Sequence, residues 1–111
     1  MKSIIVFALI LLPFVSSPVH AGSQTGKVTN LLVRASDGLV YFTIDGPAKV
    51  NSPACARIDY WMIRDENSEA GKKQYAMLLA AQASGREIVV QGMNTCLRWN
   101  DGEDVNYLQL K

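Results

Sequence analysis

The sequence predicts a small, mainly β domain carrying one helix, and three observations lead to that expectation. Short apolar runs bounded by turn residues read as five strands, and one longer stretch between the third and fourth runs carries helix start and stop signals. Cys55 and Cys96 lie far apart in the chain, as a structural staple would. Residues 1–21 have the pattern of an export leader, which leaves residues 22–111 as a single domain.

The leader reads MKSIIVFALILLPFVSSPVHA. Lys2 precedes an apolar run over 4–15, Ser16, Ser17 and Pro18 break it, and Val19-His20-Ala21 supplies the cleavage positions. The run is shorter than the roughly 20 residues that a membrane-spanning helix needs. Cleavage is expected after Ala21, with no membrane span left behind. It would remove His20, the only histidine, and with it the usual route to a Ser-His-Asp or Cys-His arrangement or to a histidine zinc site. No catalytic residue, metal or cofactor is therefore expected. Losing Lys2 would reduce the basic residues from 11 to 10, against 10 acidic ones. A neutral chain lacks the basic excess that phosphate contacts demand, so nucleic acid is not an expected partner. The expected compartment is the periplasm or the extracellular space, where two cysteines normally pair. Their spacing is unlike the C-x-x-C of a redox pair, and bridging them would stabilise the fold by roughly 4 kcal/mol.

After a polar lead, runs over 28–33 and 39–44 flank RASDG, where Asp37-Gly38 is a tight-turn signal. In the second run Val40, Phe42 and Ile44 share one face, and Leu39, Tyr41 and Thr43 the other. The turn-rich GPAKVNSPA leads to CARIDYWMIRD, a third strand in which Ile58, Tyr60 and Met62 alternate with Asp59, Trp61 and Ile63. In NSEAGKKQYAMLLAAQASG, Ser68 can cap a helix, Glu69 suits its N-terminal dipole and Gly85 suits its end. Tyr75, Leu78 and Leu79 would form its apolar stripe. REIVVQG is a fourth strand and NYLQLK a fifth, with MNTCLRWNDGEDV as the loop between them. Gly26, ahead of the first strand, is suited to a bend.

The order β-β-β-α-β-β at this length matches a five-stranded OB-fold-like barrel, with an unrelated small α+β sheet as the alternative. Within that order, GKVTNLLV, YFTIDG, a cysteine after the second strand, ASGREIVV and a second cysteine after the fourth strand resemble the OB-fold B subunits of exported bacterial toxins of the subtilase cytotoxin type. The resemblance covers most of residues 26–99. It implies an exported module that assembles with copies of itself and binds cell-surface glycans. This chain is shorter and has one cysteine pair, and the family's sugar-contacting residues are not carried over to positions here. A looser likeness is to small periplasmic OB-fold stress proteins. It supplies the alternative function: a structural or stress-related protein acting through self-association or an envelope partner.

The candidate contact residues are Trp99, Arg98, Asn100 and Asp101 in the late loop, with Tyr41 or Trp61 adding a stacking surface for a glycan or a protein. By alternation Tyr41 lies opposite Phe42, and Trp61 opposite Tyr60. The carboxylates Asp59, Asp65, Glu66 and Glu69 read as charges around a helix start, and Asp101, Glu103 and Asp104 as a solvated loop. NDGEDVN lacks the spacing of an EF-hand calcium loop and reads as a polar turn on Asp101-Gly102. Lys72 and Lys73 read as a solvated helix face.

Overall fold

The computed structural model describes residues 3, 5, 6, 8–10 and 21–111; His20 and most of the expected leader lie outside them. The elements are β1 (Ser23–Val33), β2 (Val40–Asp45), β3 (Trp61–Met62), α1 (Glu69–Ser84), β4 (Glu87–Gly92) and β5 (Glu103–Leu110). The strands close into a barrel in the order β1-β2-β3-β5-β4, with β4 returning to β1. The β3–β5 pair is parallel and the other pairs are antiparallel. This is the expected mainly β, OB-fold-like barrel with one helix, and Cys55 is bonded to Cys96. No helix among the described residues is long and apolar enough to cross a membrane.

Strand alternation builds the core. Val40, Phe42 and Ile44 of β2 point inward with Val28, Trp61, Ile63, Ile88, Val90 and Val105. Leu78 and Ala81 join them from α1, and Tyr75 packs against the cluster. Leu79, expected on the same stripe, is exposed, because the buried face follows Gly71, Leu78 and Ala81. The caps are as expected. Ser68 Oγ accepts from the Gly71 N–H at 2.9 Å, and Gly85 adopts a left-handed φ of 66° while its N–H bonds to the Ala81 carbonyl. In the β1–β2 turn Asp37 Oδ1 accepts from the Leu39 N–H, and Gly38 takes the φ of 77° that the turn requires.

Three elements depart from expectation. First, β1 starts at Ser23, since SQTGK pairs with β4 and the rest of the strand pairs with β2. Gly26 lies inside this strand where partners change, and any Cβ there would collide with Asp45 O and Ile44 Cγ2. Second, β3 is only two residues long, and Trp61, Met62 and Ile63 are all buried. Alternation fails at Met62 because the side away from the core is covered too: Met62 Cε lies beneath Gly102 of the late loop. Third, β5 begins at Glu103, and Glu103 and Asp104 are both 0% exposed. The solvated-loop reading of these two acids is corrected: parallel pairing with Trp61 and Met62 draws them inside.

Candidate functional site

The outward side of the β1–β2–β3 wall carries the most distinctive surface. Tyr41 alternates with the buried Val40 and Phe42 and so projects outward from β2. Tyr60, just before β3, does the same opposite the buried Trp61. Antiparallel pairing of Tyr41 with Met62 brings the two tyrosines together, with ring centroids 4.9 Å apart and planes inclined by 24°. They line an open cleft of about 440 Å³ with Asn30, Leu31, Leu32 and Thr43. Its polar rim is organised: Asn30 Nδ2 donates to Thr43 Oγ1 at 2.8 Å, and the Thr29 and Thr43 hydroxyls are 2.9 Å apart.

At the other side of the pair, the Tyr60 hydroxyl donates to Asp101 Oδ1. Partial burial, reinforced by that hydrogen bond and the Asp101 charge, pushes the Tyr60 phenol up to about 12. Tyr60 is thus a neutral donor throughout the physiological range. The backbone holds Asp101 in place as well, since its carbonyl accepts from the Ile58 N–H at 3.0 Å.

A second cluster forms where the β1–β2 hairpin meets the late loop. Trp99 is 39% exposed, and the Arg34 guanidinium lies 4.4 Å from its ring centroid. Arg34 also grips both oxygens of Asp37, at 2.9 and 2.6 Å, which holds the Asp37 carboxyl well below the usual carboxylate range. Arg98 donates to both oxygens of Glu66, at 3.0 and 2.7 Å, and to the Asp37 carbonyl at 3.1 Å.

The expected contact residues therefore separate. Tyr41 and Asp101 come together through Tyr60, a residue outside the expected set. Trp99 sits beside Arg34, and Asn100 is exposed next to it. Trp61 is corrected: it is 0% exposed, its Nε1 donates to Gln24 Oε1 at 2.9 Å, and Lys49 covers its ring, so it offers no face for stacking. Arg98 is a tie between loops, because its guanidinium is committed to Glu66 and Asp37. Alternation puts Tyr60 and Trp61 on opposite faces without saying which faces out; the β2–β3 register, which sets Tyr60 against Tyr41, decides it.

The Arg98–Glu66 tie has a pH signature. Its hydrogen bonds hold the Glu66 carboxyl below its ordinary 4.5, so the tie contributes fully above that value and is lost as pH falls through the depressed folded-state value. Glu66→Gln is expected to cost about 1 kcal/mol at pH 7, with the deficit shrinking from pH 4.5 downward. Thermal midpoints of both proteins measured between pH 7 and pH 3 check this; a deficit constant across that range would contradict it.

The carboxylates of NDGEDVN are engaged within the fold. Asp101 receives the Tyr60 hydroxyl, Glu103 receives two backbone N–H groups, and Asp104 receives two backbone N–H groups and the Thr95 hydroxyl. Among the described residues no group of three His, Cys, Asp or Glu side chains converges as a metal site. What the surface offers is flat aromatic area, amide and hydroxyl groups, and fixed charge at one edge. No protein-family model, curated protein or solved structure matches the chain.

Proposed function

We propose that this chain is an exported, non-enzymatic binding module that takes a glycan in the Tyr41–Tyr60 cleft. The carrying observation is the stacked tyrosine pair flanked by Asn30 and Thr43 on one side and Asp101 on the other. A sugar ring presents an apolar C–H face and a rim of hydroxyls, which calls for an aromatic platform with neutral donors and acceptors beside it. The formed Cys55–Cys96 bond supports an oxidising compartment. Open clefts of this kind bind single sugars weakly, and association of several copies would supply avidity, as in the toxin B subunits the sequence resembles.

A glycan array probed with the mature protein, followed by titration of the best hit, tests the reading. Tyr41→Ala is expected to weaken that hit about tenfold, the loss of one stacking face, without lowering the thermal midpoint by more than a few degrees. Trp99→Ala should change affinity by less, since Arg34 already occupies one side of its ring. Undiminished binding by a folded Tyr41→Ala protein would exclude the cleft. An array without hits would exclude the glycan.

A further inference from the structure

Glu103 is completely buried, yet one of its oxygens is unsatisfied. Oε2 accepts from the backbone N–H groups of Gly22 and Asn94, both at 3.0 Å, while Oε1 has no hydrogen-bond partner. An orphan oxygen on a buried carboxylate is costly and calls for an explanation. The surroundings are shaped around this side chain. A Cβ on Gly22 would collide with Oε1, and one on Gly92 would collide with Oε2, so two glycines form the walls. Gly22 is held there by the barrel, since its carbonyl accepts from Gly92 N–H at 2.8 Å and Ser23 exchanges two 3.0 Å hydrogen bonds with Val50. Lys49 and Glu103 interact electrostatically, but the Lys49 ammonium donates to the Tyr60 carbonyl at 2.9 Å and lies over Trp61.

We propose that export processing completes this site: cleavage between Ala21 and Gly22 turns the Gly22 amide into an α-ammonium that locks onto both oxygens of Glu103. Water adds to the Ala21 carbonyl carbon, the C–N bond breaks, Ala21 leaves with the new carboxylate, and Gly22 nitrogen takes up the protons. One amide donor becomes an ammonium with three donors and a positive charge, at the nitrogen already 3.0 Å from Glu103. The new N–H groups are the donors that Oε1 lacks, and the buried carboxylate gains its counter-charge. Only glycine fits at this position, because any other residue there would bring a Cβ against Oε1. Removal of the leader is thereby coupled to the stability of the barrel.

The inference rests on the exported reading for the position of cleavage, and the test separates the two. Intact mass of the secreted protein reports processing: a first residue of Gly22 is expected, and any other start overturns the coupling to export. The lock is tested on protein released from a fusion so that Gly22 is first, against the same protein carrying Ala21 ahead of it. The Gly22 form should unfold about 5 to 10 °C higher, and Glu103→Gln should bring the two forms to one midpoint. Equal midpoints in the presence of Glu103, or an undiminished gap in Glu103→Gln, overturn the lock. If Glu103→Gln does not fold, acylation of the α-amine decides: at least tenfold slower reaction than a free glycyl peptide supports the lock, and equal reactivity overturns it.

Discussion

Reduction of the Cys55–Cys96 bond is expected to lower the thermal midpoint of the barrel by about 20 °C. The two cysteines are 41 residues apart, and their bridge removes about 4 kcal/mol worth of freedom from the unfolded chain. For a domain of this size each kcal/mol moves the midpoint by roughly 4 to 8 °C. The native state loses as well, because the bridge joins two segments without regular structure: the connector before β3 and the loop between β4 and β5. Those segments carry Tyr60 and Asp101, so the tyrosine cleft should loosen with them. Calorimetry of the protein with and without reductant, and of Cys55→Ser with Cys96→Ser, measures the effect. A shift below about 5 °C would mean that the loop is held by its other anchor alone.

That anchor is Asp104, and Asp104→Ala is the second large effect. Its carboxylate is fully buried and accepts from Thr95 Oγ1 at 2.6 Å and from the backbone N–H groups of Leu97 and Arg98 at 2.8 and 3.0 Å. Arg64 Nε approaches to 4.0 Å. Alanine would leave two backbone donors and one hydroxyl without their acceptor beneath the loop, a loss of about 3 kcal/mol. Asp104→Asn keeps one acceptor oxygen and should lose less. Urea unfolding of the three proteins orders them wild type, Asn, Ala. An alanine variant within about 1 kcal/mol of wild type would show that water replaces the carboxylate.

The candidate site was legible only in part, for reasons that particular residues make plain. Tyr41 is placed outward by the alternation of β2, a local property of six consecutive residues. Trp61 lies between Tyr60 and Met62, and Trp99 between Arg98 and Asn100, but neither set of neighbours states how deeply its ring is buried. Pairing with β2 and β5 buries Trp61, while Trp99 stays at the surface. In sequence Arg98 reads as a free hydrogen-bonding group; folding brings Glu66, just before α1, within 2.7 Å of it.

What the sequence by itself determined is the order of strands and helix, the Asp37-Gly38 turn, both helix caps and the Cys55–Cys96 partnership. Each follows from neighbours along the chain, or, for two cysteines, from having a single way to pair. Only the tertiary structure decided that the polar start of β1 is a strand, that Glu103 and Asp104 lie inside, and that Tyr60 completes the cleft. Those outcomes depend on register between segments tens of residues apart, where partners brought close by folding offset the cost of burying a polar group.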